Sequence, residues 1–119
     1  MIAIRGAICA ENTPQSIESH AAELLTEIFK ANDLNIEDII AITFTCTKDL
    51  NAAYPARAAR AMGLAYASLM CVQEMDVQNS LQKCIRVQVL AQKDARQNEA
   101  KHIYLGAVKA LRPDLEETP

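Results

Sequence analysis

The chain carries one stretch with the periodicity of a long amphipathic helix, and almost everything else that can order alternates like a strand. Ile17, Ala21, Leu24, Leu25, Ile28 and Phe29 recur at helical spacing, so their side chains fall on one stripe. Thr13-Pro14 ahead of them supplies an N-cap and then a proline at the first helical position, where its missing N–H is not needed. The pattern predicts a helix ending near Asn32-Asp33. One helix of that length can cover only one face of a sheet.

The strand candidates follow from alternation and β-branching. Residues 2–10 put Ile2, Ile4 and Ile8 on one face and Ala3, Arg5, Ala7 and Cys9 on the other. Residues 39–45 are β-branched and apolar, as suits a buried central strand. Residues 49–63 read as a loop and then a short helix, with Pro55 in its first turn and Gly63 at its end. Residues 66–72 form a third strand candidate, and the polar residues 74–82 a loop with a turn of helix. Residues 84–91 set Ile85, Val87, Val89 and Ala91 against Cys84, Arg86, Gln88 and Leu90. After a solvated loop over 93–101, residues 102–111 read as a last strand, with Ile103, Leu105 and Ala107 opposite His102, Tyr104 and Gly106.

The expectation is a single α+β domain over residues 1–119, with a five-stranded sheet, one long helix and a short helix. The sheet face left without a helix is still rich in Ala, Val and Leu. Exposed, it would make a large apolar patch, so an oligomer burying sheet against sheet is expected. With 50% apolar residues but no Trp and only three Tyr and two Phe, the core must be mainly aliphatic.

Charge and cysteine usage narrow the partners. A formal charge of −3 exerts no long-range pull on nucleic acid or an anionic membrane, so an anionic ligand must be held by a local cluster of bases. No apolar run is long enough to span a bilayer, and the first residues lack the features of a signal peptide. Cys9, Cys46, Cys71 and Cys84 are widely spaced, with no CxxC pair and no histidine at metal-ligand spacing. A metal-free, reduced, cytoplasmic chain is expected.

In three strand candidates the face opposite the apolar series carries a strong polar group: Arg5, Arg86 and Tyr104. At a subunit boundary these would line a pocket, and arginine suits it because its planar fork stays charged and grips a carboxylate through two hydrogen bonds. Each residue also has a plainer reading. A single strand Arg is usually a surface residue, and Tyr104 a half-buried ring. Arg57 and Arg60 read as a solvated helix face, and Glu74 and Asp76 as loop charges. Cys71 has no base at a recognisable spacing and reads as a semi-buried thiol; His20 and His102 read as structural or exposed.

Four segments together shift that balance. They are Ile4-Arg5-Gly6-Ala7; the run from Asp49-Leu50-Asn51 through Tyr54-Pro55-Ala56-Arg57 to Arg60; Cys71-Val72-Gln73-Glu74-Met75-Asp76-Val77 continuing to Cys84-Ile85-Arg86-Val87; and His102-Ile103-Tyr104-Leu105 with Leu111-Arg112-Pro113-Asp114-Leu115. In order and nearly end to end, the chain resembles the trimeric, pseudo-α/β-barrel class of monofunctional chorismate mutases. The resemblance implies a homotrimer with a barrel-like core and active sites in clefts between subunits. It also implies rearrangement of chorismate to prephenate, in phenylalanine and tyrosine biosynthesis, without a cofactor.

Carried over, Arg5 and Tyr104 would bind substrate carboxylates, Glu74 the ring hydroxyl and Arg86 the ether oxygen, with Cys71 near the hydroxyl. Tyr54, Ala56, Arg57, Leu69, Met70 and Leu111 would line the cleft together with Val72 and Gln73, while Arg60 and Arg112 add positive charge at its mouth. Tyr54, Arg57 and Met70 stand where the family suggests Phe, Lys and Thr. The competing readings are a non-catalytic trimeric carboxylate-binding module and a small trimeric enamine/imine deaminase.

Overall fold

The structure, a computed structural model, describes residues 1–108. Leu111 and Arg112, and most of the second half of the expected last strand, lie outside that range. The elements are β1 (Ile2–Cys9), α1 (Pro14–Ala31), β2 (Ile39–Cys46), α2 (Ala56–Ala61), β3 (Ser68–Gln73), β4 (Cys84–Ala91) and β5 (Ile103–Tyr104), with short 3-10 turns at Ile36–Asp38 and Gln97–Glu99. The sheet runs β3-β2-β4-β1-β5. Its central strand β4 is antiparallel to both β1 and β2, while the edge strands β3 and β5 are parallel to β2 and β1.

Helix α1 forms where its cap and stripe predict. The Thr13 hydroxyl accepts the Ser16 N–H at 3.1 Å, satisfying one of the orphan donors of the first turn. All six residues of the apolar stripe are buried. Its end is fixed by Asn32, whose buried side-chain amide donates to the carbonyls of Ile28 (2.9 Å) and Lys101 (3.0 Å) while its oxygen accepts the Lys101 N–H at 2.9 Å. A buried amide satisfied on both sides costs little, and this one ties the helix end to the segment that leads into β5.

The core lies between α1 and one sheet face, where Ile2, Ile4, Ile8, Ile42, Phe44, Ile85, Val87 and Val89 pack against the helix and the neighbouring α2. Gly6 sits on that face at the point of closest approach. A Cβ there would lie 2.8 Å from Ile28 Cδ1, 3.0 Å from the Ile103 carbonyl oxygen and 3.1 Å from Leu24 Cδ1. The helix rests on β1 because this position has no side chain. Along β1 the opposite face takes Ala3, Arg5, Ala7 and Cys9, as alternation requires.

Three expectations are corrected. The strand expected over 102–111 is paired only at Ile103–Tyr104; Gly106 takes a left-handed φ of +67°, and Ala107 and Val108 are already helical, so Ala107 does not share a strand face with Ile103 and Leu105. Residues 74–82 hold a turn closed by Ser80 N–H on the Val77 carbonyl rather than a turn of helix. The 93–101 segment is not wholly solvated: it holds a 3-10 turn and ends on Ala100, which is buried in the core. Among the described residues no helix is long and apolar enough to cross a membrane.

Gly6→Ala should destabilise the fold by about 1–3 kcal/mol, the usual cost of overpacking a closed core, because one of the three clashing atoms is backbone. Urea denaturation of the purified variant checks this, and an unchanged midpoint would mean that α1 does not bear on β1 at Gly6.

Candidate active site

The backbone register gathers polar groups before any side chain is considered. Tyr104 on β5 pairs with Ala7 on β1, Ala7 with Arg86 on β4, Arg86 with Thr45 on β2, and Thr45 with Val72 on β3. These five residues form one rung across the sheet, on the face away from α1. Directly opposed side chains on such a rung start only about 4.5–5.5 Å apart. Ala7 between Tyr104 and Arg86 is small, so the rung carries a hollow between the two longer side chains.

Glu74 enters from the end of β3. Its backbone N–H donates to the Cys46 carbonyl at 2.9 Å, the Thr45 hydroxyl donates to Oε1 at 2.6 Å, and Arg86 Nη1 lies 3.3 Å from Oε2. The Arg86 side chain is 55% exposed and that of Glu74 23%, and so open an ion pair contributes at most about 1 kcal/mol. Glu74 is therefore positioned chiefly by Thr45 and its own backbone bond, which leaves the Arg86 fork free to turn toward a ligand.

Glu74, Arg86 and Tyr104 line one cavity of about 730 Å³, with Ala7, Thr47, Cys84 and the 75–82 loop completing its walls. Tyr104 is buried against Ala7, Cys84 and Val108. Burial pushes the Cys84 thiol up to about 12, so it is protonated at neutral pH and a poor nucleophile there. Lys48 and Asp76 pair at 2.9 Å across an exposed surface, linking the loop only weakly to the end of β2.

The remaining candidates are not in that cavity. Arg5 shares its sheet face, two residues before Ala7, but lines neither this cavity nor the second; its backbone N–H donates to His102 Nδ1 at 2.9 Å. Tyr54, Arg57, Cys71, Val72 and Gln73 line the second cavity, of about 600 Å³, at the ends of β2 and β3 and the start of α2. Cys71 pairs in register with Phe44, which puts its side chain on the helix-covered face, opposite to Arg86. Ala56 is buried, Arg57 reaches toward Glu18 of α1 at 3.8 Å, and Arg60 is exposed at the end of α2. Leu69 packs on the core, while Met70 is 56% exposed on the open sheet face. One chain thus carries two hollows whose candidate residues do not converge within it.

Thr45 and Thr47 were not singled out by sequence. Thr47 is buried, lines both cavities, accepts the Cys84 N–H at 3.0 Å and donates to Asp49 Oδ1 at 2.5 Å. Asp49 in turn accepts the Lys83 N–H at 3.0 and 3.2 Å. Threonines in a β-branched run look like ordinary strand residues, and only the register reveals what stands beside them.

A guanidinium, a carboxylate and a phenol thus stand around one open hollow whose thiol is held protonated. The chain's family is given by sequence. Residues 1–115 match chorismate mutase type I, and the chain belongs to that family. It is 41% identical over 117 residues to the chorismate mutase AroH of Bacillus subtilis (strain 168), covering 97% of this chain and 92% of the relative. Identity to the chorismate mutase AroH of Thermus thermophilus is 42% over 115 residues, covering 95% and 94%. A solved chorismate mutase from Clostridium thermocellum superposes with a TM-score of 0.88 at 47% identity, over 91% of this chain and 97% of that one.

Asp49 yields a pH signature. Partial burial works to raise its carboxyl, but hydrogen bonds from the Thr47 hydroxyl and the Lys83 backbone, helped by the Lys83 ammonium, outweigh it and hold the group below its usual range. A lowered folded pKa contributes stability that is complete above the unfolded value of about 3.9 and is lost as pH falls through the folded one. Asp49→Asn should therefore be less stable than the parent in urea at pH 7, and the gap should close as pH drops below about 4. A gap constant down to about pH 2 would mean that the ionised carboxylate is not what holds Thr47 and Lys83.

Proposed function

We propose that this chain is a single chorismate mutase domain over residues 1–119, isomerising chorismate to prephenate in phenylalanine and tyrosine biosynthesis without cofactor or metal. The observation that carries the reading is the rung that sets Arg86 and Tyr104 on either side of Ala7, with Glu74 beside Arg86, around one cavity. Family membership supports it, and neither a carboxylate-binding module nor a deaminase is favoured by these relatives. The four cysteines are free, which suits a reducing cytoplasm.

The rearrangement is intramolecular. One C–O bond breaks as one C–C bond forms, with no proton, electron or nucleophile exchanged. A protein can accelerate it only by holding the flexible enolpyruvyl arm over the ring and by stabilising the charge that develops. In this reading Arg5 and Tyr104 hold carboxylates, and Glu74, oriented by Thr45, accepts a hydrogen bond from the ring hydroxyl. Arg86 turns from Glu74 to the ether oxygen, where negative charge grows as the C–O bond leads. A fixed cation there binds the transition state more tightly than the ground state.

The site is read as shared between subunits of a homotrimer. Tyr54, Arg57, Leu69, Met70 and Val72, with Gln73 and Cys71 at the end of β3, would close the cleft from the neighbouring chain, Leu111 would line it, and Arg60 and Arg112 would stand at its mouth. Support comes from the division of candidate residues between two hollows and from the exposure of Met70 (56%) and Val72 (43%) on the sheet face that α1 does not cover. Sedimentation equilibrium should give three times the 13.1 kDa chain mass. A stable monomer at micromolar concentration would remove the trimer and the shared site together.

Arg86→Ala should lower kcat by the equivalent of roughly 2.7–4 kcal/mol, the usual cost of losing one preorganised donor, with a smaller change in KM. Arg86→Lys should recover only part, since a point charge on a flexible stem does not reproduce the fork. Steady-state kinetics following chorismate absorbance decide it: near-normal kcat with a raised KM would reduce Arg86 to a binding group.

A further inference from the structure

The mechanism above leaves Cys9 and Cys84 without a part, yet they stand directly opposite each other on β1 and β4. Their rung is of the kind that brings side chains closest. The backbone N–H of Cys84 donates to Thr47 Oγ1 and its carbonyl accepts the Thr47 N–H, so both its backbone groups point toward β2 and away from β1. On the next rung, Ala10 N–H donates to the Lys83 carbonyl at 3.0 Å. Antiparallel rungs alternate, so Cys9 and Cys84 form a non-hydrogen-bonded pair. The Cα separation of such pairs, about 4.5 Å, lies within the range of about 4.4–6.8 Å that a disulfide spans.

Both thiols sit on the sheet face that carries Arg86, packed in one cluster with Ala7, Tyr104 and Val108. Cys84 itself lines the cavity of Glu74, Arg86 and Tyr104. Cys46 and Cys71 lack this arrangement, because Cys46 pairs with Gln73 and Cys71 with Phe44.

We propose that Cys9 and Cys84 are a modification site, forming a reversible cross-strand disulfide that draws in one wall of the cavity and lowers its turnover. The oxidant is a peroxide. The Cys9 thiolate, the more exposed of the two, attacks one peroxide oxygen; the O–O bond breaks, Cys9 becomes a sulfenic acid and hydroxide leaves. The Cys84 thiolate then attacks the Cys9 sulfur, the S–O bond breaks and a second hydroxide leaves. The two thiol protons turn both hydroxides to water, so two thiols and one peroxide give one disulfide and two waters. Burial raises both thiols, which makes the reaction slow at neutral pH and faster as pH rises. Reduction by a small dithiol restores both groups.

In the oxidised form Cys84 Sγ must turn to Cys9 and leave the Ile85 carbonyl, which it now approaches at 3.8 Å. Tyr104 loses part of the surface it packs on. The turnover consequence rests on the chorismate mutase reading; the crosslink does not.

The test treats the whole protein with hydrogen peroxide, blocks remaining thiols with iodoacetamide and digests with trypsin. The expected product is a peptide of residues 84–86 joined to one of residues 6–30, absent after dithiothreitol and absent from Cys9→Ser. Turnover of the parent should fall with the joined peptide and return on reduction, whereas Cys9→Ser should keep its turnover through the same treatment. Recovery of Cys9 and Cys84 both alkylated, or of Cys84 joined to another cysteine, overturns the proposal. A joined peptide with unchanged turnover overturns the control of the cavity. A protein with no turnover before oxidation would refute the activity, and the joined peptide would still decide the crosslink.

Discussion

Strand register is the constraint on which the rest of this structure depends. Tyr104, Ala7, Arg86, Thr45 and Val72 occupy one rung drawn from all five strands. A slip of one residue in any strand would send that strand's member to the helix-covered face. The hydrophobic series next to each polar group enforces the register: Arg86 lies between Ile85 and Val87, and Thr45 follows Phe44, all three buried. Burying these neighbours contributes roughly 1.5–3 kcal/mol each, far more than the exposed Arg86–Glu74 contact. The core thus aims the site, and the site's own contacts add little to the fold.

The helix layer divides the labour of the sheet. With α1 seated at Gly6, one face is committed to packing and the polar groups are left to the other. That face needs a cover, and in the proposed trimer a second copy supplies it along with the other half of the cleft. Because Glu74 is held through Thr45 and the Cys46 carbonyl rather than through Arg86, the arginine stays available, in the proposed mechanism, for a charge that appears only during reaction.

Much of this was legible in the chain. β4 has the bounds its alternation predicts, α1 begins after Thr13 and buries its whole stripe, and the polar faces of Arg5 and Arg86 follow from period-2 patterning. The end of the last described strand is not legible, because alternation through Tyr104 and Leu105 persists past Gly106, whose left-handed φ stops the strand. Thr45 and Thr47 were illegible for a different reason: their neighbours belong to strands about forty residues away. The roles given to Glu74 and Cys71 came from resemblance, and the structure separates the two, Glu74 beside Arg86 and Cys71 on the opposite face of the sheet.

The strand order also governs how the chain emerges during synthesis. β1 and β2 do not pair with each other; they are joined only through β4, the fourth of the five described strands to be made. Until residue 91 has left the ribosome, the nascent chain can hold α1 and the parallel β2–β3 pair but no central sheet. Contacts this distant close slowly, and unpaired strand edges are what aggregation exploits. A small enzyme with this topology therefore assembles its central sheet only after most of its translation, and until then β1 has no strand partner.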